Sequence, residues 1–297
     1  MSMRMQTKNL IKDNLVGYVM IFPTVSIFLL FMLYPIISSA ILSFESWDGI
    51  GIKTFVGLDN YIKALKDPLV WESFANNLKY CLGLITFGMI PGLVLAYLLS
   101  GDIKGRTIFR TIYFFPRLCS MVIVSLIWGW MYNPIFGFFN KVLSLLTGSE
   151  INFAWLGNAH TAMISVAFTG GWTYFGYCMV IYLAAFQSTD PSLTDAALID
   201  GANSFQRFFL IILPQIAEVN LMVLILTIID AFKIFDIIYL MTGGGPGRKT
   251  EIMATLLYRE AFRHNNFGYG ACIAVILTAT IMIIAMIVQK YQARTQS

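Results

Sequence analysis

The sequence predicts an all-α membrane protein with six transmembrane helices, on three observations. Apolar residues make up 58% of the 297 and charged residues only 12%, whereas a soluble domain carries about 25% charged residues. Mean hydropathy is +0.72. Six stretches also approach or exceed the roughly 20 apolar residues that cross a hydrocarbon core: Leu15–Ser43, Leu78–Ser100, Ile108–Tyr132, Thr161–Phe186, Phe208–Leu240 and Tyr269–Gln289.

The first run follows Arg4, Lys8 and Lys12, which resemble the basic start of a signal peptide. Its apolar part is far longer than the about 7–15 residues of such a leader, and no convincing small-x-small cleavage site ends it, so it reads as an uncleaved first span. The second run carries Gly88-x-x-x-Gly92, a close-packing pattern. The third contains Arg117 within its apolar length. The fourth holds Trp172, Thr173, Tyr174 and Tyr177. The fifth holds Asp230, Lys233 and Asp236, with Glu218 nearer its start. In one continuous helix Lys233 is an i,i+3 neighbour of both aspartates, which predicts internal ion pairing, above all Lys233–Asp236. Asp230 lies about one helical turn beyond Thr227, on a similar face. Pro23, Pro35, Pro91, Pro116 and Pro214 fall in or near spans, where neighbouring groups satisfy the freed carbonyls.

Six spans place both termini on one side. The short Gly101–Arg110 loop carries three bases and one acid, and basic short loops face the cytoplasm. The expected topology is therefore N-in and C-in. Cys81, Cys119, Cys178 and Cys272 lie in apolar runs without metal-ligand spacing and read as small buried thiols. His160 and His264 flank hydrophobic runs singly, and no metal or cofactor site is expected. The net charge of +4 is spread without a basic stripe, which speaks against nucleic acid.

The polar segment between the fourth and fifth runs, residues 188–207, is the most informative. Asp190-Pro191 is a helix start: the carboxylate caps free amides and proline suits the first helical position. Ser192 to Asp200 follow as a short helix. Gly201 stops it, since glycine takes the left-handed conformation at C′. Ser204 is placed to cap a second helix running through Pro214.

Asp195-Ala196-Ala197, three residues, Gly201 and later Leu213-Pro214 resemble the EAA loop of binding-protein-dependent ABC importer permeases. Asp195 stands where the family usually has Glu, which keeps the charge with shorter reach. Other segments are similar in order and spacing: Tyr34-Pro35, Phe55-Val-Gly-Leu-Asp-Asn-Tyr61, Phe109-Arg-Thr-Ile-Tyr-Phe-Phe-Pro116, Trp128 to Asn140, Phe232-Lys-Ile-Phe-Asp236 and Thr242-Gly-Gly-Gly-Pro-Gly247. Together they cover about Leu15 to Gln289 and look most like sugar permeases of the maltose, lactose and glycerol-3-phosphate group.

The resemblance implies a type I ABC importer permease fold in a single transmembrane domain, 1–297. It implies that 188–207 couples to an ATPase through Asp195, Ala196, Ala197, Asp200 and Gly201. The implied partners are a second homologous permease, two ATP-binding-cassette ATPases, an extracellular solute-binding protein, a sugar, oligosaccharide or polyol substrate, and lipid in a prokaryotic cell membrane. In maltose-type permeases the substrate site lies on the helices before and after the EAA loop, and Tyr177 and Thr227 fall closest to it by region; Tyr174 and Asp230 join them as candidates for the substrate path. Aromatic faces stack on sugar CH groups, and hydroxyls exchange hydrogen bonds with them.

No catalytic residues are expected in this chain. Lys249-Thr250 follows Arg248 rather than glycine, so the Gly-rich turn is not a Walker A loop. An intramembrane enzyme would need a nucleophile–base pair or His-Glu-x-x-His, and neither occurs. The remaining alternative is an ATP-independent secondary transporter or channel, in which the EAA-like loop would have no task.

Overall fold

A computed structural model of the chain describes residues 17–101 and 103–295, with side chains to residue 290. Arg4, Lys8 and Lys12 lie outside the described residues. Among the described residues four unbroken helices have the length and hydropathy of membrane spans: α1 (Gly17–Leu42), α3 (Pro68–Ser100), α7 (Ala162–Phe186) and α13 (Phe267–Thr295). Between α1 and α3 lie a small antiparallel ribbon, β1 (Glu45–Ser46) with β2 (Thr54–Phe55), and α2 (Asp59–Lys66).

The third and fifth runs are not straight spans. The third is α4 (Arg106–Leu118) and α5 (Met121–Met131), bent by 97°. Cys119 is extended there, and Ser120 restarts the helix by accepting a bond from the Val122 amide. A short α6 (Phe138–Thr147) follows before α7. Beyond α7 come α8 (Pro191–Ile199), then α9 (Ser204–Gln215) and α10 (Ala217–Lys233), bent by 78° around Ile216. The helix stops again at Ile234, whose ψ of 136° is extended, before α11 (Asp236–Met241) and α12 (Met253–Tyr258).

Proline placement explains part of this. Five-residue π-turns end at Leu33, Met89 and Ile212, each two residues before Pro35, Pro91 or Pro214. A proline ring clashes with the carbonyl four residues back and offers no amide. The wider turn redirects bonds: the amides of Tyr34, Ile90 and Leu213 reach the carbonyls of Leu29, Ile85 and Phe208.

Helix α7 is the axis of the bundle, packed by α3, α4 and α10. Its buried side includes Tyr174, Cys178, Met179 and Tyr182. The Gly88/Gly92 pair lets α3 lie against it: a Cβ at Gly92 would stand 2.6 Å from Cys178 Cβ and from the Phe175 carbonyl oxygen. The four cysteines are free thiols, and three are buried.

At the end of the bundle away from residues 188–207, the fully buried Asn77 caps two helices at once. Its amide nitrogen donates to the Ala231 carbonyl in the last turn of α10 (3.3 Å), and its oxygen accepts from the Met253 amide that opens α12 (3.0 Å). Asn76 donates to the Arg248 and Glu251 carbonyls at 3.2 and 2.9 Å. Glu251 is itself buried, with Arg259 Nη1 2.9 Å from its Oε2. Burial holds the Glu251 carboxyl above its ordinary value against the pull of Arg259 and Arg248.

Candidate functional site

Two features stand out: the 188–207 loop and a polar cluster within the bundle. In the loop, Asp190 accepts from the Ser192 amide at 2.9 Å. Hydrogen bonds from the Ser192 side chain and amide hold the Asp190 carboxyl below its ordinary value. At the other end of α8 the Ala202 amide donates to the Ala197 carbonyl (2.9 Å) and the Gly201 amide to Leu198 (3.2 Å). That bond pair is a Schellman closure, and Gly201 sits at φ +83° within it. The second helix is capped by Asn203 rather than by Ser204. Asn203 and Gln206 exchange reciprocal side-chain bonds at 2.9 Å, which places Ser204 one residue inside the helix. Gln215 accepts from the Asp190 amide at 3.0 Å, tying the start of α8 to the end of α9.

The loop's surface is mixed. Asp195, Ala196, Asp200 and Gly201 are exposed, and Ala197 is buried beneath them. Leu198, Ile199 and Phe205 are exposed apolar side chains on the same short segment. A cavity of about 460 Å³ beside α8 is lined by Arg106, Arg110, Thr194 and Asp195 among others.

The second feature lies deeper. Arg117, in the last turn of α4, donates to Asp230 of α10 at 3.4 Å. Its guanidinium also sits 4.9 Å over the Tyr177 ring and 5.4 Å from that of Tyr174. Tyr174 and Thr227 meet hydroxyl to hydroxyl at 3.4 Å, and Thr227 also donates to the Val223 carbonyl at 2.7 Å. The structure thus brings Tyr174, Tyr177, Thr227 and Asp230 into one cluster and adds Arg117. Tyr174 and Thr227 are buried. Tyr177 is half-buried, and the Arg117 and Asp230 side chains keep 31% and 40% of their surface.

The expected pairing of Lys233 does not form. Among the described residues no salt bridge joins it to Asp230 or Asp236; the helix ends at Lys233, so the i,i+3 geometry with Asp236 is lost at Ile234. Asp230 turns instead to Arg117, 113 residues away in sequence. Local spacing could not reveal that partner; the only signal was an arginine inside an apolar run. Among the described residues no three His, Cys, Asp or Glu side chains gather as metal ligands.

The bent spans, central α7 and α8 loop describe a membrane permease, and comparison with known proteins agrees. The sequence profile of the family described as binding-protein-dependent transport system inner membrane component matches residues 5–297. The chain is 33% identical over 283 residues to the probable ABC transporter permease protein YurN of Bacillus subtilis, covering 94% of this chain and 97% of that one. It is 33% identical over 280 residues to the trehalose/maltose transport system permease protein MalF of Thermococcus litoralis, covering 94% of each. A bacterial ABC transporter involved in the import of the acidic polysaccharide alginate shares the fold, with a TM-score of 0.84 at 21% identity over 98% of this chain and 100% of that chain.

The chain therefore belongs to the binding-protein-dependent transport system inner membrane components. It is a multi-pass ABC importer permease of a prokaryotic inner membrane, a membrane component rather than an enzyme. The reading as an independent secondary transporter falls with that membership.

Proposed function

We propose that this permease carries a sugar, oligosaccharide or related polyol inward, as half of a translocation path completed by a second homologous permease. Its trehalose/maltose relative supports that substrate class. Two ATP-binding-cassette subunits supply the energy, and an extracellular solute-binding protein delivers the substrate. The whole chain acts as one permease domain with both termini cytoplasmic.

Residues 188–207 couple the path to the ATPase, and the observation behind this is the loop's construction. It is closed by a cap and a Schellman turn and tethered through Gln215, yet it exposes Leu198 and Ile199. A rigid segment with exposed apolar side chains fits a docking surface better than a solvated linker. Asp195 and Asp200 offer charge to a basic partner, and the small Ala196 and Ala197 allow close approach. Tyr177 and Asp230 present surface to the path, while Tyr174 and Thr227 form the wall that holds them.

The test is uptake of labelled neutral disaccharides into proteoliposomes containing the permease pair and solute-binding protein, with and without the ATPase subunits and ATP. Uptake should require both. Equal uptake without the ATPase would refute the coupling scheme.

A further inference from the structure

The Arg117–Asp230 pair carries an inference about which substrates pass. Its depth can be counted from the 188–207 end of the bundle. Arg117 is 11 residues beyond Arg106 at the start of α4, and Tyr177 is 9 residues before Phe186 at the end of α7. At 1.5 Å per residue both counts put the cluster about 13–17 Å in, near the middle of a hydrocarbon core of about 30 Å. Charged groups at that depth face protein or water rather than lipid. Arg117 and Asp230 each keep about a third of their surface or more in the single chain, so what they face lies outside it: the path or the second permease.

The pair is loosely made. It rests on one contact of 3.4 Å, longer than the about 2.7–2.9 Å of a tight charge-assisted bond, and it lacks the bidentate geometry that guanidinium and carboxylate favour. Among the described residues Arg117 makes no other hydrogen bond, which leaves most of its five N–H donors free. Asp230 keeps acceptor capacity in the same way. The Tyr177 ring centroid lies 4.9 Å from the guanidinium carbon, and the ring is half-buried beside it. Donors, acceptors and an aromatic face within one cluster suit a polyhydroxylated ring. The two charges cancel, so an uncharged ring meets matched partners, while a carboxylate or an ammonium meets one opposite charge already compensated and one like charge.

Resting on the saccharide reading above, we propose that Arg117 and Asp230 together are the specificity-determining pair that makes this path select uncharged saccharides. Asp230 cancels the attraction Arg117 would exert on acidic sugars, and Arg117 cancels the attraction of Asp230 for amino sugars.

The test uses the purified importer complex without its solute-binding protein, so that the delivery protein's own choice does not enter. Saturation-transfer NMR reads the binding of trehalose and maltose against derivatives carrying a carboxylate or an amine at C6. The parent complex should favour the neutral sugars over both derivatives. Asp230→Asn should raise carboxylate binding relative to neutral sugar by about tenfold, the size expected for removing one like charge a few ångströms away in a partly wet site. Arg117→Gln should shift preference toward the amine by a similar factor. The double variant should return to neutral preference. Either single variant that assembles decides the matter. An unchanged ratio in an assembled single variant, or a parent that prefers a charged derivative, overturns the proposal. A parent that binds none of the sugars overturns the saccharide reading itself, a distinct result.

Discussion

Gly201 offers the cleanest perturbation of the loop proposed to couple to the ATPase. It sits at φ +83° with no atom within 4 Å of where a Cβ would stand. A Cβ there meets nothing in the chain, so the cost of adding one falls on the backbone conformation. Holding an L-residue in the left-handed region costs roughly 1–2 kcal/mol, more for a β-branched one, while asparagine tolerates it. Such a cost shifts the equilibrium between closed and frayed loop by about 5–30-fold. Gly201→Val should therefore lower hydrogen-exchange protection of the Ala202 amide, which the closure binds to Ala197, by at least that factor. Substrate-stimulated ATP hydrolysis of the reconstituted complex should fall with it. Gly201→Asn should keep most of both. Full stimulation in Gly201→Val alongside an unprotected Ala202 would refute the idea that the loop transmits by being rigid. An asparagine variant as impaired as valine would instead mean that bulk at the docking surface, not backbone strain, is what fails.

Other expectations concern packing, charge and sidedness. Gly92→Val drives a branched side chain into Cys178 and the α7 backbone; overpacking of this kind costs about 1–3 kcal/mol and should show as reduced complex yield and a lower melting temperature. Asn77→Leu strands the Ala231 carbonyl and the Met253 amide, at about 1–3 kcal/mol for each buried unpaired group, and calorimetry should register a loss that Asn77→Gln does not rescue. Because burial raises the Glu251 carboxyl above its ordinary 4.5, the folded loop holds a proton that the unfolded chain would release. Among Arg259, Arg248, Glu260 and Glu72, its charged neighbours, protection of the Thr250 amide should grow as pH falls through the raised value and level off below about 4.5, and Glu251→Gln should flatten that profile. Cysteine labels at Lys104 and Ser204 should react only from the cytoplasm and labels at Gly51 and Gly244 only from outside; a label at Lys104 reacting from outside would overturn the N-in topology.

Much of this was legible in the sequence because the physics was local. The Asp190-Pro191 start and the Gly201 stop each concern a few successive residues, and the structure has both. The cap at Asn203 rather than Ser204 is a slip of one residue between two side chains able to do the same work. What could not be read depended on distance. Hydropathy sees Ile108–Tyr132 and Phe208–Leu240 as runs and is blind to direction, so bends of 97° and 78° leave it unchanged. The Lys233–Asp236 pairing failed because it assumed an unbroken helix through Ile234, and the Lys233–Asp230 pairing failed because Asp230 turns to Arg117. Arg117 and Asn77 gain their meaning from partners more than 100 residues away.

The tether between Asp190 and Gln215 has a mechanical corollary. Gln215 is the last residue of α9, immediately before the elbow at Ile216. The α8 helix, α9 and that elbow thus form a crank: one arm lies along the surface proposed above for docking, and the other, α10, carries Asp230 near its far end. A push on α8 reaches the elbow without passing through α7, and an angle of 78° converts motion along the first arm into swing of the second. The pairing of Asp230 with Arg117 would then open and close with the stroke, so the span between residues 117 and 230, measured with spin labels flanking the pair, should change between nucleotide-free and ATP-trapped complexes.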